Sequence, residues 1–404
     1  MLADVRCCLK WGELPPNGHA LRPNSTDDDA PFRLPIPPHM KPPRIGLVLE
    51  QGLGHVAYGM SLRRALATRD DMECVWLEVS FGTEGFGRVP IVGRSYALRG
   101  NVRARRAIAA AHRERPLDAL FVHTSMVALL SADHIGRVPT LLSLDATPLN
   151  YDELAVWYGH KVGNPVVERA KLLVHRAVMR RARKLTAWSE WAKDSLVRHY
   201  GVDARAVTVI PPGTTISNFP DPSARGPRRP GPVRILFVGG DFVRKGGDLL
   251  LDVFRRHLRG SCELHLVTGA DIAGGDGVHV YRGVKPHSPE LLALYGDADV
   301  FVLPTRGDCL AVVLGEAMAS SLPIVTTRVG AHAEAVKDGE SGFVIDADDA
   351  EALRRSLVRL ASDPDLCARM GQASRRLGEE RFDMNKNANQ IADLLIDLSR
   401  RPPL

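Results

Sequence analysis

Asp299-Val300-Phe301-Val302-Leu303-Pro304-Thr305-Arg306-Gly307-Asp308-Cys309-Leu310-Ala311-Val312-Val313-Leu314-Gly315-Glu316-Ala317-Met318-Ala319 reads as a strand, a loop and a helix in immediate succession. The apolar run Val300–Leu303 stops at Pro304, and the polar loop through Asp308 leads into a helical stretch. A second short buried-type strand, Ile324–Thr326, follows Leu322-Pro323, and the segment closes with Gly330 and Asp338-Gly339-Glu340-Ser341-Gly342. Two carboxylates, Asp308 and Glu316, stand on either side of the helix start, one before it and one about a turn inside. Both can therefore face the strand-end cleft. A carboxylate only accepts hydrogen bonds, and vicinal sugar hydroxyls donate them. A helix N-terminus adds free N–H groups and partial positive charge for a phosphate.

The same alternation of short apolar runs and helical stretches extends in both directions, which is the signature of a parallel α/β architecture. Upstream, Arg44–Leu49, Cys74–Val79, Ala119–His123, Thr140–Leu144, Lys184–Ala187 and Val207–Ile210 read as strands, with a helix at Gly54–Thr68. Pro220 to Pro232 is too rich in proline and glycine for a regular element and reads as a linker. After it the pattern restarts with Arg234–Val238, Glu263–Val267, the decisive segment and Phe343–Ile345, and Ala350 to Ser399 is helical. The expected organisation is a disordered proline-rich leader over 1–43, one doubly wound domain over 44–219 and a second over 233–384. A last helix over 385–404 is expected to pack back on the first domain. Two such domains face a central cleft, and ligands of these sheets bind outside the carboxyl ends of the strands.

Composition limits the function classes. No apolar run approaches the roughly 20 residues needed to span a bilayer, and the N-terminal stretch lacks a secretory pattern. The six cysteines include no CxxC pair, so a cysteine-built structural zinc site is not expected. Reduced thiols predict a cytoplasmic protein. The formal net charge of +6 suits anionic ligands without identifying them. No zinc finger, RNA-binding aromatic motif or heptad array supports nucleic-acid binding.

The decisive segment resembles the retaining glycosyltransferases of family 4, which have the GT-B fold of two Rossmann-like domains. Their pattern is a Glu, seven residues, a second Glu, Ala-Met-Ala, a small residue and Pro. Asp308 stands in place of the first Glu, and Glu316-Ala317-Met318-Ala319 and Pro323 keep the rest. The resemblance implies that Glu316 holds a nucleotide ribose and Asp308 the donor-sugar hydroxyls. It also implies that backbone N–H groups at Cys309, Leu310 and Ala311 contact sugar or phosphate. The strand Arg234–Val238 leads through Gly239 and Gly240 to Arg244-Lys245, where the family neutralises the donor diphosphate; Gly240 takes a place where many members carry Arg. Ser189 to Leu196, with Ser189 as a helix cap, and Val209 to Gly213 match the end of the family's first domain. The activity implied by the resemblance is that of a hexosyltransferase that takes a nucleotide-sugar as substrate and needs no cofactor or metal. Asp297-Ala298-Asp299 looks like a metal motif of another fold but precedes a strand and reads as structural.

Three further features complete the candidate set. The loop Glu50-Gln51-Gly52-Leu53-Gly54-His55 lets backbone approach a phosphate at a helix start, and the family closes this loop over donor or acceptor. Gly52 and Gly54 also fit a dinucleotide fingerprint with Glu78 as its ribose acid, so an NAD(P)-dependent oxidoreductase is a rival reading, but it leaves the second half unexplained. Asp145 lies at a strand end where relatives carry a His; contact with the acceptor hydroxyl, positioning of donor phosphate and turn capping are open for it. Arg103, Arg105, Arg106, Arg113 and Arg115, and a second set from Arg169 to Lys184, mark basic helices that could rest on the inner face of a membrane or simply be solvated. A GT-B protein that binds the nucleotide-sugar without turnover is the other alternative. The acceptor, whether glycan, lipid or small molecule, is not specified.

Overall fold

The computed structural model describes residues 41–52, 54–83, 95–219 and 231–401. The first 40 residues, Leu53 and most of the Pro220–Pro232 linker lie outside that set. The first sheet holds β1 (Arg44–Glu50), β2 (Glu73–Val79), β3 (Ala119–His123), β4 (Thr140–Leu144), β5 (Lys184–Ala187) and β6 (Val207–Val209). The second holds β7 (Val233–Val238), β8 (Cys262–Val267), β9 (Val278–Tyr281), β10 (Val300–Leu303), β11 (Ile324–Thr327) and β12 (Gly342–Ile345). All pairings are parallel, in the orders β2-β1-β3-β4-β5-β6 and β12-β11-β10-β7-β8-β9.

Every residue of β1, β3, β4, β10 and β11 is buried, because helices cover both faces of a parallel sheet. That is why these strands appear in the sequence as unbroken apolar runs. β9 was not expected. It is the edge strand, buried only at Val278, and its Val-His-Val-Tyr sequence carries no such run. The first helix spans His55–Leu66, shorter than Gly54–Thr68.

In each sheet the chain order reverses once, between β1 and β3 and between β7 and β10. In open parallel sheets, ligands bind beside such a reversal, outside the carboxyl ends of the strands. The candidate functional side chains gather at these two points.

The helix Met384–Ser399 packs against the helix His55–Leu66 and against β3 and β4 of the first sheet. Arg69, itself buried, forks onto Asp71 at 2.7 Å through two nitrogens and reaches Asn389 at 3.0 Å and Asp393 at 2.8 Å on that last helix. The chain crosses at Thr214, whose N–H donates to Phe382 O (2.7 Å) while its carbonyl accepts from Met384 N (3.0 Å).

The two basic helices differ. On Tyr96–Glu114, Arg103 donates to Ser80 and Arg105 pairs with Asp133, and Arg115 just beyond pairs with Glu73, so these cations hold the fold together. On Pro165–Arg181, Val166, Val167, Leu173 and Val174 are exposed beside exposed Arg169, Lys171, Arg180 and Arg181.

Candidate donor site at the strand ends

The turn after β7 is held against the loop after β10 by Gly246. Its φ is +75°, and an added Cβ would overlap the Pro304 carbonyl oxygen, so only glycine fits. Two bonds to the Arg244 carbonyl, from Arg306 N (2.8 Å) and Thr305 Oγ1 (3.3 Å), lock the turns together. Lys245 Nζ then donates to Asp308 Oδ2 at 2.6 Å, and Arg244 Nη1 donates to Gly307 O at 2.5 Å and lies 4.0 Å from Asp308. Burial alone would push the Asp308 carboxyl up. Lys245, His332 and Arg244 outweigh it and hold Asp308 below its ordinary value. Gly240 is exposed, with open space around it.

The loop after Asp308 is shaped from behind. Gly330, at φ +56°, lies so close that a Cβ there would overlap the Asp308 and Cys309 carbonyl oxygens. Ala331 N donates to Cys309 O at 2.8 Å. Ala311 N donates to His332 Nε2 at 3.3 Å, so that nitrogen is an acceptor and the proton sits on Nδ1, which meets Thr326 Oγ1 at 2.8 Å. Thr326 Oγ1 in turn donates to Leu303 O. Of the three N–H groups expected to face the donor, Ala311 is thus engaged internally, whereas those of Cys309 and Leu310 meet no acceptor among the described residues.

Glu316 sits in the helix Val312–Ala319 and is buried. It interacts with the Tyr295 hydroxyl, and its Oε2 accepts no hydrogen bond from a described residue. Burial raises its carboxyl above the ordinary value. Among the described residues, no hydrogen bond or ion pair joins Glu316 to Asp308, Arg244 or Lys245, which lie in the loops after β10 and β7.

The first domain supplies a second cluster. His55 opens its helix, with Gly54 at the cap position, and its Nδ1 meets His123 Nε2 at 2.8 Å. His55 Nε2 lies 3.5 Å from Glu50 and 3.6 Å from Asp145. Thr124 Oγ1 donates to Glu50, and His123 Nδ1 meets Ser143 Oγ at 3.2 Å. Burial holds His123 well below the usual histidine range and raises Glu50. Asp145 Oδ2 accepts from Tyr151 OH at 2.6 Å, while its buried Oδ1 has no described partner. Asp145 is not a turn cap. Thr147 does that work, in a reciprocal capping box with Asn150 at the start of the helix Pro148–Glu153. Gly52 lies beside the Tyr96 hydroxyl in the same region.

The segment Tyr151–Tyr158 connects the two clusters. Tyr158 lies under the Arg244 guanidinium (4.7 Å to the ring centre) and Trp157 under that of Arg306 (5.3 Å). Cys309 is buried against Ala146 and Leu154, and its thiol interacts with the hydroxyls of Tyr151 and Tyr158. Burial, then Asp145 and Asp308, push that thiol well above its usual range, so it is an inert packing group. On the other flank Glu334 accepts the N–H groups of Glu190 and Trp191 at 2.8 and 2.7 Å, capping a first-domain helix from the second domain.

A family model described as Glycosyltransferase Family 4 matches residues 54–218, and one described as Glycosyl transferases group 1 matches residues 232–363. The GDP-mannose-dependent alpha-(1-6)-phosphatidylinositol monomannoside mannosyltransferase of Mycolicibacterium smegmatis is 30% identical over 270 residues, 60% of this chain and 69% of the relative. The chain belongs to glycosyltransferase family 4. The D-inositol 3-phosphate glycosyltransferase of Geodermatophilus obscurus is 34% identical over 227 residues, 49% of this chain and 50% of that one. The chain spans about half the length of the D-inositol 3-phosphate glycosyltransferases of Streptomyces bingchenggensis and Geodermatophilus obscurus. Among solved structures, sucrose-phosphate synthase from Thermosynechococcus elongatus superposes with a TM-score of 0.69 at 18% identity, over 88% of this chain and 99% of that one. HepE of Anabaena in complex with UDP-glucose gives 0.63 at 16%, over 88% and 99%. These likenesses establish the GT-B fold.

Within this family 4 chain, the sequence gives Tyr151, Trp157, Tyr158 and His332 no signal, and it marks Glu50 and His55 only as members of a glycine loop, with no role of their own. His332 yields a direct test. Burial lowers it from 6.5 to about 4. The unfolded chain therefore binds a proton that the fold refuses. The stability His332 contributes is complete above pH 6.5 and is lost as pH falls toward 4, roughly 3 kcal/mol in all. His175, also lowered to about 4 by burial, acts in the same direction. Urea midpoints at pH 7 and pH 5 should converge in His332→Asn relative to wild type, by up to one proton's worth of slope.

Proposed function

We propose that this protein transfers a hexose from a UDP- or GDP-sugar to an acceptor hydroxyl, with retention at the anomeric carbon. The observation that carries the reading is the pairing of Arg244 and Lys245 with Asp308 at the β7/β10 reversal. A lone acid there would be expensive to bury, and two cations over one acid leave net positive charge for a diphosphate. On donor binding, Lys245 and Arg244 shift from Asp308 and Gly307 to the phosphates. Asp308 is then free to accept sugar hydroxyls. The N–H groups of Cys309 and Leu310 add donors, and the unpartnered Oε2 of Glu316 accepts from the ribose. The leaving diphosphate is stabilised by these groups, and one of its oxygens can take the acceptor proton, so no strong protein base is required. The Tyr151–Tyr158 segment shields this reaction from water.

The donor classes rest on the relatives: one is GDP-mannose-dependent by name, and HepE is seen with UDP-glucose. Acceptors in the relatives' names, inositol 3-phosphate and a phosphatidylinositol monomannoside, make a phosphorylated polyol or lipid the class to try first. The exposed valines and leucine between cations on Pro165–Arg181 favour peripheral contact with an anionic membrane surface on the cytoplasmic side. The activity test is release of nucleoside diphosphate from UDP-, GDP- and ADP-hexoses with such acceptors, with the product anomer read by NMR. An α-linked product from an α-linked donor supports the reading. Tight donor binding with no turnover on any acceptor would favour a binding protein instead.

A further inference from the structure

A second constellation lies away from the donor cluster, on the far edge of the second sheet. His265 on β8 and His279 on β9 are direct register partners, and Glu263 precedes His265 by two residues on the same face. The imidazole rings stack with centroids 4.8 Å apart at 20°. One ligand atom from each of Glu263, His265 and His279 lies within 4.8 Å of the other two. Glu263 and His265 are half-buried and His279 is exposed, so an ion can enter from solvent.

We propose that Glu263, His265 and His279 bind one divalent transition-metal ion of the zinc class. Two imidazoles and a carboxylate are a recognised zinc ligand set, with metal–ligand distances of about 2.0–2.2 Å that place ligand atoms about 3.3 Å apart. His265 Nε2 already lies 3.6 Å from Glu263 Oε2 and is buried with no hydrogen-bond partner. The exposed His279 need only turn inward. His265 Nδ1 meets Tyr281 OH at 3.0 Å, the outer partner that orients a metal-bound histidine and leaves Nε2 for the metal. Arg234 Nε stands 3.6 Å from Glu263 and is the competing cation. Asp297, 3.9 Å from Arg234, offers it an alternative partner when the metal binds.

The sequence could not announce this site. Its histidines are 14 residues apart and are joined only by the β8/β9 register. It shares no residue with the donor cluster, so its test is independent of the proposed activity. Isothermal titration of the full chain with Zn²⁺ should show one saturable site. Co²⁺ loading should give the visible absorption of a four-coordinate ion with nitrogen ligands. His279→Ala, at an exposed position that leaves the fold intact, should weaken Zn²⁺ binding at least about tenfold, and Tyr281→Phe should weaken it less. Sugar-nucleotide binding should be unchanged in both. Absence of saturable Zn²⁺ binding, or binding that survives His279→Ala together with Glu263→Ala at wild-type affinity, would overturn the proposal.

Discussion

Lys245→Ala should cut the rate of hexose transfer about 10²- to 10³-fold, the usual cost of removing one preorganised charge at a developing anion. Lys245 is the only cation within 3 Å of Asp308 among the described residues, through its 2.6 Å bond. Its loss also removes the strongest attraction that keeps the buried Asp308 ionised. The variant should therefore show a second, separable effect. The acid limb of its activity profile should move to higher pH, because Asp308 takes up a proton more readily when only Arg244 and His332 oppose its burial. The sign follows from the wild type, where the carboxyl is held below its ordinary value and stays charged until well into the acid range. Lys245→Arg should restore the acid limb and only part of the rate, since a planar guanidinium replaces a compact ammonium. A pH–rate series on the three proteins checks both parts.

Glu316→Gln should raise the donor KM about 10- to 100-fold, equivalent to a hydrogen bond made to a charged group, while the melting temperature changes little. The amide keeps the volume of a buried side chain, so no cavity confuses the result. It can still meet the Tyr295 hydroxyl. What it loses is an acceptor-only oxygen, and a ribose offers that oxygen two donors. Tyr295→Phe is the matched control. It removes the internal neighbour and leaves the carboxylate, so donor affinity should fall far less than in Glu316→Gln. Initial rates over a range of donor concentrations for the three proteins decide the matter.

The strands that meet at the two reversals were legible because burial on both faces writes them as continuous apolar runs. β9 was not, because an edge strand needs no such run. The Asp308–Glu316 spacing and the Arg244-Lys245 pair located the second-domain reversal because each depends on local order: a strand end, a turn and a helix start. The same logic failed for His332, which follows β11, accepts directly from Ala311 N and is oriented through its other ring nitrogen by Thr326 on that strand. It failed again for Tyr158 and Trp157. A capping box at Thr147 marks where their segment begins, but nothing local says that it docks on Arg244 and Arg306. Asp145 stood in the place of a histidine in the sequence. In the fold, His55 at the start of its helix stands 3.6 Å from Asp145, and His123 at the end of β3 meets His55. Basic stretches were equally ambiguous as text, and only ion pairs such as Arg105–Asp133 separate cations that hold the fold from those left at the surface.

The assignment of the β7/β10 reversal as a nucleotide-sugar site is tested by thermal stabilisation with UDP-, GDP- and ADP-hexoses beside NAD(P), in wild type and Glu316→Gln. One sugar nucleotide should raise the melting temperature of the wild type, the shift should be largely lost in the variant, and NAD(P) should have no effect. Stabilisation by NAD(P) with none from any sugar nucleotide would contradict it.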